Sequence, residues 1–242
     1  MAELDQDLVD ALRKARKIAV LSGAGLSAES GVPTFRGPEG LWKNHDPTEL
    51  ATAEAFRRDP ALVWEFYNWR REKVLSVEPN GAHRALVDIE ARVGDFTHIT
   101  QNVDGLNQRA GARRLIELHG NLFATICFDC RRPRTDLPEI VPHPSYCECG
   151  GLMRPGVVWF GESVPAFETA LAALPGTDLF LVVGTSALVQ PAASLAMIAK
   201  QSGARVAEFN LEPTPLTASL DFAVHGPVGQ TLPALVEAAF GE

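Results

Sequence analysis

Four cysteines, Cys127, Cys130, Cys147 and Cys149, fall within 23 residues as a C-x2-C pair, sixteen intervening residues and a C-x-C pair. Thiolates grouped in this way suit a tetrahedral Zn2+, and Pro133, Pro142, Gly150 and Gly151 supply bends that fold the two pairs toward each other. Four protein ligands leave no position for water, so a zinc held here is structural rather than catalytic. A redox C-x-x-C is the rival reading of the first pair. Earlier in the chain, GAGLSAESG matches G-x-G-x-x-G/A through Gly23, Gly25 and Ala28. Glycines at this spacing let backbone approach a pyrophosphate while a helix N-terminus offers free N–H groups. The same glycines serve a plain strand-to-helix turn, and the acid that would bind a ribose about 20 residues on is missing, since Asp46 lies in a loop beside Pro47. Any dinucleotide is therefore held in a manner unlike that of an ordinary dehydrogenase.

Two polar clusters, TQNVDG at residues 100 to 105 and GTS at 184 to 186, each follow an apolar run. Of the six histidines only His119, in ELHGN, ends such a run beside a glycine; His45, His83, His98, His143 and His225 read as surface or core residues. In EFYNWRREKV, residues 65 to 74, Tyr67 and Arg70 stand three positions apart. Asp59 and Pro60 resemble a helix cap and first position, which puts Val63, Tyr67, Arg70 and Val74 on one stripe. On helix geometry alone Arg70 stacks on Tyr67 or pairs with a surface acid.

The elements that position these residues follow from hydrophobic pattern. Residues 4 to 16 have leucines at helical spacing and lead into KIAVL, an apolar run without alternation. Similar strands are expected at 96 to 100, 114 to 118, 178 to 184 and 204 to 210, with helices at 81 to 93 behind Asn80, 191 to 202 from Pro191, and 231 to 240. Strands separated by helices imply a doubly wound α/β fold with a parallel sheet buried on both faces. Residues 35 to 79 and 123 to 153 break that pattern and are expected to form a small helical and zinc-binding domain. A discontinuous Rossmann-like domain then comprises residues 1 to 34, 80 to 122 and 154 to 242. The net charge of −8 and the 46% hydrophobic content argue against both a general nucleic-acid binder and a disordered chain. With no run long enough for a membrane span or signal peptide, the expected location is the cytoplasm, with no membrane partner.

GAGLSAESGVPTFRG, TQNVDGL, ELHGN, the four-cysteine module, VVWFGE, VGTS and NLE occur in this order, and together they resemble the sirtuins, NAD-dependent protein lysine deacylases. The resemblance runs from about residue 12 to 238. It implies NAD consumed as co-substrate and one structural zinc held by the four cysteines. It also implies an acylated lysine whose acyl oxygen displaces nicotinamide, ending in O-acyl-ADP-ribose. By the same resemblance Gly23, Ala24 and Gly25 lie against the pyrophosphate, and Phe35 and Arg36 over the nicotinamide ribose. Gln101, Asn102 and Asp104 form a polar floor; Gly184, Thr185 and Ser186, with Asn210, Leu211, Glu212 and Val228, take the adenosine side. That late group stands in for the missing ribose acid. His119 is implied as the general base, and Val158, Trp159, Phe160 and Gly161 as an edge for substrate peptide, with core packing expected of either Trp159 or Phe160.

Tyr-x-x-Arg is similar to the pair in sirtuins that remove succinyl and malonyl groups, where guanidinium and phenol grip a carboxylate. Asn107 stands where many relatives carry histidine; it cannot titrate near neutrality and is expected to be structural. Two other readings compete, a mono-ADP-ribosyltransferase on the same scaffold and a zinc-ribbon nucleic-acid module, the latter opposed by the acidic balance.

Overall fold

The computed structural model describes residues 4–33 and 46–241. Helix α1 (Gln6–Lys14), capped by Asp5, feeds strand β1 (Lys17–Ser22), a short turn of helix α2 (Gly25–Ala28) follows, and after residue 46 come α3 (Pro47–Leu50), α4 (Ala53–Arg58) and α5 (Pro60–Leu75). The chain continues through α6 (Gly81–Arg92), β2 (Asp95–Thr100), α7 (Leu106–Ala110) and β3 (Leu115–Glu117). An antiparallel pair, β4 (Gly120–Cys127) and β5 (Met153–Val157), brackets the cysteine loops. The rest is α8 (Ala166–Ala173), β6 (Leu179–Val183), α9 (Ser194–Gln201), β7 (Arg205–Asn210), β8 (Phe222–His225) and α10 (Val228–Phe240).

Six of these strands form one parallel sheet in the order β3-β2-β1-β6-β7-β8. Numbered within the sheet this is 3-2-1-4-5-6, the order of a doubly wound dinucleotide fold. The apolar runs lack alternation because both faces are covered. Ile18 and Val20 of β1 pack with Leu181, Phe209 and the helices α1, α6 and α10, while Ala19 and Leu21 pack with Phe180, Val182, α8 and α9. A separate cluster joins α4 and α5 to β4 and β5 around Phe56, Trp64, Tyr67, Leu122 and Trp159.

The expected strands appear within a residue or two of their predicted limits, and Asn80 caps α6 by accepting from the Ala82 amide at 2.9 Å. Two helix starts differ. The 191-to-202 helix begins at Ser194, because residues 191 to 193 make a preceding turn in which the Pro191 carbonyl accepts the Ser194 amide. Helix α10 starts three residues before the expected 231, where the carboxylate of distant Glu29 accepts the Gly229 amide at 2.6 Å. Among the described residues no helix is long and apolar enough to cross a membrane.

Candidate active site

In a sheet of this order β1 and β6 are adjacent strands whose connections leave toward opposite faces, which opens a crevice beyond their carboxyl ends. The two loops leaving that edge interlock. The Gly23 amide donates to the Val183 carbonyl at 3.0 Å and the Gly25 amide to the Gly184 carbonyl at 2.7 Å. Gly184 has φ +59°, and a Cβ placed there would come 2.3 Å from the Leu26 amide nitrogen. Only glycine permits that approach, so the glycine-rich loop and the GTS loop are built as one backbone cradle.

The cradle forms one wall of a cavity of about 410 Å3. Its floor is the TQNVDG segment leaving β2. Asn102 Nδ2 donates to the Gly23 carbonyl at 3.0 Å and to Ser27 Oγ at 3.2 Å, and Ser27 Oγ donates to Asp104 Oδ2 at 2.7 Å. Gln101 Nε2 donates to Thr185 Oγ1 at 3.0 Å, tying floor to cradle. Burial raises the Asp104 pKa, opposed by the Leu106 amide, the Ser27 hydroxyl and the charges of Arg70 and Arg109.

His119 enters from the turn between β3 and β4. Its Nδ1 lies 3.1 Å from the Gln101 carbonyl, which can only accept, so Nδ1 carries the proton and Nε2 is the basic nitrogen. Burial lowers the His119 pKa, and the bond to Gln101 opposes it. The neutral ring is therefore the resting form near pH 7. The next residue, Gly120, has φ +75°, and a Cβ there would lie 2.2 Å from the Gly156 carbonyl oxygen, so the histidine's placement depends on glycine at 120.

The opposite wall is made of side chains. Tyr67 and Arg70 of α5 line the cavity beside Val158, Trp159, Phe160 and Gly161. Arg70 stands over the Phe66 and Tyr67 rings at 5.7 and 5.9 Å, and Trp159 Nε1 donates to Tyr67 Oη at 2.9 Å. Of the two aromatics expected to divide between core and site, Trp159 is the packed one at 2% exposure, against Phe56 and Phe128, while Phe160 is 50% exposed. The Val158 amide donates to the His119 carbonyl and the Phe160 amide to the Ala51 carbonyl. The Trp159 amide donates to Glu162. Three of the four amides of this edge are thus engaged within the chain.

The four cysteine sulfurs lie within 4.8 Å of one another, with Cys127 to Cys149 at 3.5 Å and Cys130 to Cys147 at 3.7 Å. A tetrahedron with Zn–S bonds of roughly 2.3 Å has edges of about 3.8 Å. The donor set fits a structural zinc. None of the four cysteines is among the residues that line the cavity.

The Sir2 family model matches residues 23–191. The chain belongs to the Sir2 family. NAD-dependent protein deacylase 2 of Pyrobaculum aerophilum is 48% identical over 234 residues, which span 96% of this chain and 94% of that protein. A solved Sir2 homologue in complex with NAD superposes with a TM-score of 0.92 at 43% identity, covering 98% of this chain and 94% of its own. A Sir2 complex with a p53 peptide and NAD+ superposes at 0.82 with 32% identity, covering 97% and 98%.

Within this Sir2 member the late-chain group divides. Asn210 lines the cavity and its Nδ2 donates to the Glu212 carbonyl at 3.1 Å. Leu211 and Glu212 are exposed on the adjoining loop, and the Val228 side chain is buried in the core at the start of α10. Ser186 joins the lining beside Thr185, as does Ala24 beside the glycines. Phe35 and Arg36 lie outside the described residues. Asn107 is 3% exposed and its Nδ2 lies 3.3 Å from Thr100 Oγ1, beneath the floor, as a structural residue would be. Three residues with roles at the site were not singled out from sequence: Ser27, Arg154 and Glu162. Ser27 has a signal in retrospect, a polar residue four positions after Gly23 within the glycine motif.

Proposed function

We propose that this protein removes acyl groups from lysine side chains of proteins at the expense of NAD, and that its acyl range includes succinyl and malonyl groups. The observation that carries the deacylase reading is His119, a neutral imidazole whose Nε2 is free to accept a proton in a cavity that also contains the glycine cradle. Gly23, Ala24, Gly25 and the GTS loop would hold the pyrophosphate and adenosine side, Gln101, Asn102 and Asp104 the ribose and carboxamide. When bound, NAD would supply the ribosyl carbon that the acyl oxygen attacks and a ribose hydroxyl to receive the acyl carbon; with nicotinamide leaving and one water consumed, the products would be free lysine and O-acyl-ADP-ribose. His119 would take the proton of a ribose hydroxyl, work suited to a base that is neutral near pH 7. Structural zinc on the four cysteines would hold the β4–β5 loops and supply no chemistry.

The acidic-acyl part of the reading is supported by the opposite wall. Burial raises the Tyr67 pKa, so the phenol keeps its proton, and because its oxygen already accepts from Trp159 that proton is available to a ligand. Arg70 beside it supplies the charge complementary to a carboxylate. A panel of acetyl-, succinyl- and malonyl-lysine peptides, assayed with and without NAD, tests both parts. His119→Ala should bind NAD and lower kcat by about 10^2 to 10^4. Near-normal turnover by that variant, or label from NAD retained on protein rather than in O-acyl-ADP-ribose, would refute the assignment.

A further inference from the structure

Beside the acyl wall lies a buried charge cluster that the chemistry above does not use. Arg154, on β5, is fully buried, and its guanidinium stacks on Trp159 with Cζ 3.3 Å from the ring centroid. Its Nη1 donates to Glu162 Oε1 at 2.6 Å and its Nη2 to Oε2 at 3.0 Å, a bidentate pair, while Nη2 also donates to the Val157 carbonyl at 2.6 Å. The same Glu162 Oε2 accepts the Trp159 amide at 2.8 Å. From the far side Arg131, next to the ligand-set residue Cys130, donates to Glu162 Oε1 at 3.1 Å.

One carboxylate therefore fixes the Trp159 backbone, the cation beneath its ring, and a residue of the cysteine loop. The indole in turn donates to Tyr67. We propose that Glu162 is a positioning residue for the acyl-lysine side of the reaction. Through Arg154 it holds Trp159 in the orientation that directs Tyr67 and the Val158–Gly161 edge into the cavity, and through Arg131 it ties that edge to the four-cysteine loop. Charge is needed at this place because Arg154 is fully buried, and a buried cation that loses its partner repacks or drags its neighbours. None of the bonds made by Glu162 reaches the cradle or the polar floor, so its effect should fall on the peptide and not on NAD.

Glu162→Gln keeps the shape and one acceptor but removes the charge. The kinetic arm of the test rests on the deacylase reading. In it, Glu162→Gln should raise KM for an acetyl-lysine peptide about tenfold, while KM for NAD and kcat at saturating peptide stay within about threefold of wild type. An unchanged peptide KM, or a parallel loss of NAD affinity, overturns the proposal. Arg131→Asn removes the exposed partner and leaves the buried pair; it should raise the peptide KM two- to threefold, and it carries the test if Glu162→Gln does not fold. A wild-type value for Arg131→Asn overturns the link to the cysteine loop. A wild-type protein with no NAD-dependent deacylation would instead refute the proposed function, and the positioning is then read by acrylamide quenching of tryptophan emission. Glu162→Gln should be quenched more than wild type, and the difference should vanish in a Trp159→Phe background. Equal quenching overturns the proposal.

Discussion

The two walls of the cavity are built in opposite ways. The wall assigned to the cofactor is backbone: Gly23, Gly25 and Gly184 interlock at the ends of β1 and β6, with amide-to-carbonyl bonds of 2.7 and 3.0 Å and no room for a Cβ. The wall assigned to the acyl group is side chain, with Tyr67, Arg70 and Trp159 standing on α5 and on the segment after β5. A backbone cradle recognises what every NAD molecule presents and tolerates no substitution. A side-chain wall can change which acyl group it accepts while leaving the fold in place. The comparison predicts that lesions in the first abolish activity toward all substrates and that lesions in the second sort substrates.

The largest effect is expected from Gly184→Ala. The methyl would meet the Leu26 nitrogen at 2.3 Å and the Gly25 carbonyl carbon at 2.6 Å, and alanine must also adopt φ +59°. Backbone on both sides cannot yield cheaply, and the combined strain is about 3 kcal/mol or more. NAD affinity should fall at least a hundredfold for every acyl peptide alike, as read by calorimetry. Retained affinity would mean that the cradle is not where the pyrophosphate lies.

Metal removal should come next, and it acts on the side-chain wall from behind. Arg71 of α5 is fully buried without a carboxylate partner in bonding distance among the described residues; it donates instead to the carbonyls of Leu122, Ala124 and Glu139 and to Thr125 Oγ1. The helix carrying Tyr67 and Arg70 is thus pinned to the strand that runs into Cys127 and to the loop between the cysteine pairs. Structural zinc binding is coupled to folding. Chelation, or Cys127→Ala, should therefore melt this region first and abolish deacylation, while the sheet keeps its far-UV signature. An active preparation containing no zinc would break the link.

How legible this was from sequence also differs between the walls. The cradle, the floor and His119 are contiguous motifs at strand ends, and the strands are readable because both faces of the sheet are buried, leaving no polar alternation in KIAVL or LFLVV. The side-chain wall is assembled from residues far apart in the chain. Nothing in the sequence sets Arg71 apart from Arg70 beside it, since its partners are carbonyls some 50 to 70 residues away. Arg154 and Glu162 are hidden for a different reason: they pair with each other across only eight residues, over a bend after β5 that no helix or strand period marks. Strand β8 leaves little trace in the sequence because it is a four-residue edge strand with alternating burial, and so does α8, because only Ala170 of its eight residues is buried and its apolar stripe is narrow.

Arg70→Met and Tyr67→Phe sharpen the comparison directly. A charge-assisted hydrogen bond is worth about 1.5 to 3 kcal/mol, so losing the guanidinium should lower kcat/KM for succinyl-lysine peptides by roughly tenfold to a hundredfold. The phenylalanine variant should lose less, near tenfold, because the phenol contributes one neutral donor. Acetyl-lysine has no carboxylate to lose and should change much less than succinyl-lysine in both variants. Equal losses for both acyl groups would mean that the pair only packs.

The smallest effect concerns pH and stability, and it tests the ground beneath the polar floor. Two histidines lie there buried: His98, whose pKa burial and then neighbouring His83 lower to about 3, and His83, lowered to about 4 by burial and then by Arg84. His98 Nε2 is 2.8 Å from Ser22 Oγ, and His83 Nε2 is 3.4 Å from Ser27 Oγ. Both are neutral in the folded protein at pH 5, whereas in the unfolded chain they titrate near 6.5. The unfolded state therefore binds more protons below that value, so stability is level above about pH 6.5 and falls as pH drops from there toward 4. Each such group contributes a slope of up to about 1.4 kcal/mol per pH unit. Asp104 works in the opposite sense, since its pKa, raised by burial, favours the folded state as it protonates. Urea unfolding between pH 7.5 and 5 should show a plateau and then a decline that His98→Asn makes shallower. A flat profile across that range would mean that the imidazoles are charged in the fold and that the floor rests on ion pairs instead of neutral hydrogen bonds.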